Sequence, residues 1–165
     1  MHRRPTPTPP GIGQESVWDY PRPPRLVATD QHLRVQLGTA VIADTRRALR
    51  VLETSHPPSY YLPPEDCDLD RFVAADGSSF CEWKGVARYW TVRADGLSAE
   101  RAAWSYPDPT PGFTALRDHI AYYPSAFACF VDDERVVPQP GGFYGGWVTS
   151  SVVGPFKGEP GTSGW

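Results

Sequence analysis

The chain has 165 residues, of which 40% are hydrophobic and 13% aromatic, and its net charge is −3. This length fits one globular domain that buries roughly 70% of the surface of its unfolded chain. The slight negative charge excludes a general basic surface for nucleic acid. No apolar run reaches the length that spans a bilayer, so we expect no membrane association.

The three cysteines, Cys67, Cys81 and Cys129, are odd in number and far apart in the sequence. They form no CxxC pair, and none of the four histidines completes a zinc-binding spacing with them. We therefore expect no metal site and no cofactor. Reduced thiols are typical of a cytoplasmic protein.

The first segment, residues 1–30, is predicted to be a proline-rich extended arm. Seven of the nineteen prolines fall within the first 24 residues, and proline excludes helix and central strand. Residues 1–14 are predicted to be disordered by composition. Val17, Trp18 and Tyr20 give the rest of the arm side chains to bury against the body.

Residues 33–45 show the alternation of a β-hairpin, with Leu33, Val35 and Leu37 on one face and a break at Gly38. Residues 46–53 fit either a capped helix or a strand. We favour the strand, because eight residues make a poor isolated helix. The proline-rich residues 56–66 are predicted to form an ordered loop on the surface.

The second half of the body is also predicted to consist of short strands. One short helix is expected from Thr114 to His119. Turn signals about every ten residues indicate a mainly antiparallel β domain of the α+β class over residues 31–138. The predicted strands are residues 87–93, 102–106, 121–123, 127–131 and 135–137.

Residues 139–165 are predicted to form a C-terminal arm. Residues 141–165 contain eight glycines, five aromatic residues and two charges. Such an arm packs its rings on the domain or on a second subunit, where residues 141–165 would form a homodimer surface. A non-catalytic interaction module that uses this arm is therefore the alternative to a small-molecule site.

The chain has two lysines against fourteen arginines, and both lie in an aromatic-Lys-Gly tripeptide, Trp83-Lys84-Gly85 and Phe156-Lys157-Gly158. Lysine is a compact point charge, whereas arginine is a planar fork. We predict that Lys84 holds an anionic group. Lys157 lies in the glycine-rich arm, where the same tripeptide is predicted to serve packing and a turn.

Residues 81–85 combine a thiol, a carboxylate and an ammonium. If residues 80–84 are extended, Glu82 and Lys84 share one face, while Cys81 and Trp83 share the other. For Glu82 we favour an exposed ion pair worth about 0–1 kcal/mol. For Cys81 we favour a buried thiol over a nucleophile, which would need an activating base.

A set of aromatic and polar side chains is predicted to form a pocket, although each alone also fits ordinary core packing. Lys84, Glu53 and His119 are the catalytic candidates, with the lysine holding an anion and the other two serving as acid or base. The site is either catalytic or purely binding. The predicted ligand-binding residues are Lys84, Tyr60, Trp104 and Tyr106.

Six separated motifs occur in order along the chain: Ile42–Thr45, Arg50–Glu53, Tyr60–Asp66, Cys81–Gly85, Ala103–Pro107 and His119–Tyr123. Together they resemble a bacterial and fungal family of small proteins, a domain of unknown function labelled nucleotidyltransferase-like. The resemblance covers about residues 31–138, and the C-terminal GGFYGGW, GPFKG and GTSGW resemble a longer subgroup.

The resemblance implies a compact Mss4-like, or β-tent, fold and an anionic small molecule or nucleotide as ligand. Members of that fold often bind zinc through CxxC pairs, which this chain lacks. The family usually has proline after the motif cysteine, where this chain has Glu82, so the resemblance implies no shared role for Glu82. The positions that match the motifs are Glu53, Tyr60, Lys84, Trp104 and His119.

Overall fold

The computed structural model describes residues 4–165, and most of its regular structure is β-strand. Its helical segments are four short 3-10 helices, at Val17–Asp19, Pro64–Asp66, Leu69–Arg71 and Thr114–Leu116. The strands are β1 Glu15–Ser16, β2 Arg25–Ala28, β3 Leu33–Leu37, β4 Ala40–Thr45, β5 Leu49–Leu52, β6 Ser59–Tyr61, β7 Phe72–Cys81, β8 Gly85–Ala94, β9 Leu97–Ser105, β10 Ile120–Tyr122, β11 Ala128–Val131, β12 Glu134–Arg135, β13 Val137–Pro138, β14 Trp147–Val148 and β15 Val152–Val153.

These strands form two four-stranded sheets, in the orders β10-β9-β8-β7 and β12-β11-β3-β4, and a three-stranded sheet, β2-β5-β6. Neighbouring strands in all three sheets are antiparallel. Two further pairs, β13 with β14 and the parallel β1 with β15, involve the C-terminal segment. The prediction of a mainly β domain with antiparallel sheets is confirmed.

The main hydrophobic core takes side chains from both four-stranded sheets. In β3, Leu33, Val35 and Leu37 are buried, while Arg34 and Gln36 are partly exposed, as the alternation predicted. A buried leucine or valine contributes about 1.5–3 kcal/mol relative to an exposed one. A second cluster, which includes Tyr61 and Trp104, lies under β6 and β9.

The prediction of a surface loop over residues 56–66 is wrong, because Ser59–Tyr61 form β6 and pair with β5. Tyr60, Tyr61 and Leu62 are buried. The preceding Pro57 and Pro58 lack N–H donors and are themselves buried, so they exclude helix without preventing the strand that follows them. The strand predicted within residues 46–53 is present as β5.

Two other elements differ from the sequence predictions. The ten-residue β7 was not predicted, because most of its side chains are exposed and polar or small. The predicted helix from Thr114 to His119 is a single 3-10 turn that ends at Leu116. Asp118, with φ of 59°, has a left-handed backbone that no helix continues through.

The N-terminal segment is held against the C-terminal one. The Thr8 backbone N–H donates to the carbonyl of Gly154 at 2.8 Å, so the prediction of disorder does not hold at this position. Residues 1–3, which share that prediction, lie outside the described residues. In addition, β2 adds Arg25–Ala28 of the predicted arm to the three-stranded sheet.

The C-terminal segment packs on its own chain. Trp147 is 1% exposed, and its Nε1 donates to the carbonyl of Tyr122 at 3.0 Å. Its ring lies 5.0 Å from the ring of Tyr60. Gly158 approaches the Pro140 carbonyl so closely that a Cβ atom there would collide with it. In residues 4–165 no helix is long and apolar enough to cross a membrane.

We predict that Trp147→Ala lowers the free energy of unfolding by about 3–5 kcal/mol, because it opens a cavity in the main core. Phe143→Ala, in the same segment but 77% exposed at its side chain, should change it by less than about 0.5 kcal/mol. Urea unfolding of both variants measures the difference. Equal stabilities would contradict the packing described for this segment.

Candidate functional site

A cavity of about 430 Å³ lies between the β7–β8 hairpin, strands β6 and β9, and the C-terminal segment. This volume is within the range of roughly 300–1,000 Å³ that is typical of small-molecule sites. Two lysines and several aromatic rings line it. The rings include Tyr61, Tyr89, Trp104, Tyr106, Tyr123 and Tyr144.

Lys84 lies in the turn that joins β7 to β8. Because residues 82–84 form this turn, the extended arrangement in which Glu82 and Lys84 would share one face is not present, and Glu82 forms no ion pair with Lys84. A neighbouring loop fixes the turn, since the Thr110 N–H donates to the Lys84 carbonyl at 3.2 Å. The hydroxyl of Thr110 donates to the carbonyl of Trp83. The turn thus holds the half-buried Lys84 side chain at the cavity wall.

The hydroxyl of Tyr61 positions the Lys84 ammonium. Lys84 Nζ donates to Tyr61 Oη at 3.3 Å and lies 5.8 Å from the centre of that ring. It also lies 5.6 Å from the ring centre of Tyr106, so two ring faces stabilise its charge. Trp104 Nε1 donates to the same Tyr61 oxygen at 3.4 Å. The Tyr61 hydroxyl oxygen, which carries the partial negative charge of this fully buried phenol, thus faces the Lys84 ammonium.

Lys84 keeps its charge at neutral pH. Burial lowers its pKa, but Tyr61, Cys81 and Glu53 raise it by more, so the pKa lies above the ordinary value for lysine. No carboxylate in residues 4–165 lies within 4.0 Å of its ammonium. The carboxylate of Glu53 is instead 3.2 Å from Arg22 Nη2. The Lys84 charge is therefore not neutralised by an ion pair.

Lys157 borders the same cavity from the C-terminal segment. Its Nζ lies 5.6 Å from the ring centre of Tyr144 and donates to the carbonyl of Trp165 at 3.3 Å. The sequence interpretation restricted chemistry to Lys84 and gave Lys157 a packing role. The structure instead brings the two lysines of the chain to one cavity, because the C-terminal segment folds back against Ser55, Pro58 and Trp104.

Hydrogen bonds to Gln139 fix the orientation and tautomer of His56. Gln139 Oε1 accepts from the Gly146 N–H at 3.1 Å, which identifies Nε2 as the donor. Nε2 donates to the Lys157 carbonyl at 2.9 Å and to His56 Nδ1 at 3.0 Å. His56 Nδ1 therefore accepts, and the proton of the neutral ring is on Nε2.

The surroundings of His56 keep it neutral at pH 7. Burial is the largest cause, and the positive charges of Lys157, Arg22 and Lys84 also act, so its pKa falls to about 4. His56 Nε2 is 3.7 Å from Glu53 Oε2, which is beyond hydrogen-bond distance.

The structure brings together four of the predicted site residues, because Lys84, Glu53, Trp104 and Tyr106 all border the cavity. Tyr60 faces the opposite side of β6, where its hydroxyl donates to Gln31 Oε1 at 2.9 Å. Burial raises the pKa of Tyr60 to about 12.

His119 does not border the cavity, and its Nδ1 lies 3.2 Å from the carbonyl of Arg117. The sequence interpretation selected neither Tyr61 nor Gln139, which the structure places in the cavity wall. Alternation along β6 separates Tyr61 from Tyr60 and could have identified it, had the strand been recognised. Gln139 carries no local sequence signal.

The cavity also contains the half-buried thiol of Cys81, one of three free cysteines. Within the part of the chain that the structure describes, no three His, Cys, Asp or Glu side chains stand close enough together to hold a metal ion. The groups that line the cavity include two ammonium groups, two carboxylates, a thiol, phenols, indoles and a neutral imidazole.

Comparison with protein families matches residues 25–136 to a family model described as Domain of unknown function (DUF427). Its label, NTP_transf_9, agrees with the nucleotidyltransferase-like name of the resemblance. The matched range includes Lys84 and Tyr61, whereas Gln139, Tyr144 and Lys157 lie beyond it. No curated protein matches the chain.

We predict that His56 titrates near pH 4 in the folded protein, as measured by NMR of its ring carbons. In the unfolded chain it takes up a proton near pH 6.5, so the folded state loses stability as the pH falls from 6.5 to 4. The loss should be about 3 kcal/mol, and His56→Asn, which does not titrate there, should not show it.

Lys157→Gln is the matched test of the electrostatic cause, because it removes a positive charge that lowers the His56 pKa. The pKa of His56 should rise in this variant. A folded-state pKa near 6.5 in the wild type would contradict the neutral, buried imidazole.

Proposed function

Since the chain belongs to the DUF427 family, which carries no assigned activity, we propose its function from the site: the protein binds a small organic anion with a flat ring. The single observation that carries this proposal is the Lys84 ammonium, which is half-buried among aromatic rings without a carboxylate partner. An anionic ligand would supply the missing negative charge.

Partial burial of the Lys84 ammonium costs hydration free energy. An ammonium that leaves water without a counterion loses several kcal/mol of hydration free energy, and a neutral phenol restores only part of it. Lys84 has three N–H donors and uses one for Tyr61. The others are available to a carboxylate or phosphate oxygen, which forms stronger, charge-assisted hydrogen bonds.

The aromatic walls favour a ligand with a flat ring. The rings of Trp104 and Tyr123 lie 4.6 Å apart, and Tyr61 meets Trp104 edge-on at 6.4 Å. Gly145 packs so closely on Trp104 that a Cβ atom there would collide with the indole. Such walls bury a planar group by stacking and edge contacts. Nucleotides, which the family label suggests, combine a flat base with phosphate.

The polar groups favour binding and polarisation of the ligand over proton abstraction by Lys84. A protonated ammonium cannot act as a base. The His56 Nε2–H is a hydrogen-bond donor in the wall, whereas Tyr61 Oη already accepts from Lys84 and Trp104. Glu53 remains the candidate for acid or base chemistry, although its carboxylate is 3.2 Å from Arg22.

A second candidate, an interaction module, is favoured by two exposed rings. Phe80 and Phe143 are 75% and 77% exposed and both border the cavity mouth. Phe143 lies in residues 141–165, the segment predicted as a homodimer surface. If residues 141–165 form a homodimer interface in solution, Phe143→Ser should shift the protein from dimer toward monomer, as measured by sedimentation velocity. A wild type that is monomeric at high concentration would refute it.

We further propose that the fold is of the Mss4-like, β-tent type, that the chain belongs to the longer subgroup, and that it acts in the cytoplasm. The packed antiparallel sheets support the Mss4-like fold. The free cysteines support the cytoplasmic location. An experimental structure whose sheets fail to superpose on that fold would refute the first. Detection of the native protein outside the cytoplasm would refute the last.

We predict that nucleotides or other aromatic anions raise the melting temperature of the wild type. At a ligand concentration of 100 times Kd the stabilisation is about 2.7 kcal/mol. Lys84→Gln should lose most of this effect, because it keeps a similar length but no charge. Lys84→Arg should keep part of it.

The measurement is a thermal-shift panel that pairs each anion with its neutral analogue, such as AMP with adenosine. Arg93→Gln, an exposed change on β8 outside the cavity, controls for net charge. Full stabilisation in Lys84→Gln would rule out a role for Lys84 in binding.

A further inference from the structure

The cavity holds two ammonium groups that reach it from separate parts of the chain. Lys84 comes from the turn between β7 and β8, and Lys157 follows β15 in the C-terminal segment. They are the two lysines of a chain with 165 residues. One belongs to the part matched by the family model and the other lies beyond residue 136.

The carboxylates that border the cavity do not balance these two charges. Glu53 pairs with Arg22 at 3.2 Å. Glu82 is exposed at the rim and forms no ion pair. His56 is affected by both lysines, which help to keep its imidazole neutral. Within residues 4–165, neither ammonium therefore has a side-chain carboxylate within 4.0 Å.

The two ammonium groups occupy different walls. Lys84 Nζ rests on the rings of Tyr61 and Tyr106, at 5.8 and 5.6 Å from their centres. Lys157 Nζ rests on Tyr144 and donates to the Trp165 carbonyl. Each ammonium has three protons, so each retains donors for a ligand. Separate positions suit a ligand with an acidic group at each end better than one with a single acidic group.

The position of Lys157 is fixed through its backbone. Its N–H donates to the Ser55 carbonyl at 2.9 Å, and its carbonyl accepts from Gln139 at 2.9 Å. The same Gln139 Nε2 also donates to His56 Nδ1 at 3.0 Å and so orients that ring. Because the backbone of Lys157 is already fixed, only the rotamers of its side chain lose entropy when a ligand binds.

From this geometry, and resting on the proposed function, we propose that the ligand is a flat aromatic molecule with two separate anionic groups. Lys84 holds one group and Lys157 holds the other. Lys157 is therefore the residue that determines the preference for a dianion over a monoanion of the same shape.

The test compares diacids with their monomethyl esters, which have nearly the same shape and one charge fewer. Terephthalate and isophthalate, each with its monomethyl ester, provide two spacings between the acidic groups. Titration calorimetry at constant ionic strength measures their Kd values for the wild type, Lys84→Gln, Lys157→Gln and Lys157→Arg. Arg93→Gln again controls for net charge, and melting temperatures confirm that each variant is folded.

The wild type should bind at least one diacid about tenfold or more tightly than its ester, because a second charge-assisted contact forms. Lys157→Gln should bind the two forms equally, whereas Lys157→Arg and Arg93→Gln should retain a preference for the diacid. Lys84→Gln should weaken the binding of both forms.

Other outcomes overturn the inference in distinguishable ways. Equal affinity of the wild type for diacid and ester, with both weakened in Lys84→Gln, would overturn the dianion inference and leave the proposed function standing. A preference that survives in Lys157→Gln would overturn the role of Lys157. Failure of all four compounds to bind the wild type, together with a thermal-shift panel without hits, would overturn both proposals.

Discussion

The side-chain amide of Gln139 joins three segments of the chain at the wall of the cavity. It accepts from the Gly146 N–H and donates to the Lys157 carbonyl and to His56 Nδ1, at 3.1, 2.9 and 3.0 Å. The residue is 3% exposed, so each of these bonds forms away from water, where an unmade bond is costly. The closed wall, the position of Lys157 and the tautomer of His56 all depend on this one group.

The electrostatics of the site follow from that closure. With the C-terminal segment in place, Lys157 joins Lys84 at one cavity, and both contribute to the low pKa of His56. Glu53 pairs with Arg22, and neither lysine has a side-chain carboxylate within 4.0 Å in the part of the chain that the structure describes. Phenols, an indole and ring faces stabilise the charges in part. The proposed binding of an anion rests on these two partly stabilised charges.

The sequence was sufficient for the elements whose side chains alternate between core and solvent, such as β3 and β8. It failed for β7, whose exposed, small side chains leave no pattern, and for β6, which Pro57 and Pro58 concealed. Lysine usage selected Lys84. Nothing local placed Lys157 or Gln139 at the cavity, because tertiary folding brings them to their partners Ser55 and His56. Tyr60 was selected in place of Tyr61 because β6 was not recognised as a strand. Neighbouring side chains of a strand point to opposite faces of the sheet, so only one of the two tyrosines reaches the cavity.

We propose that the ammonium groups of Lys84 and Lys157 both face one bound anion. Because the chain has two lysines, selective 15N labelling of lysine side chains gives an NMR spectrum with two Nζ signals. Titration with terephthalate tests the claim most directly. We predict that both signals shift with the same dependence on ligand concentration. A Lys84 or Lys157 signal that stays unchanged while the ligand saturates the protein would contradict it.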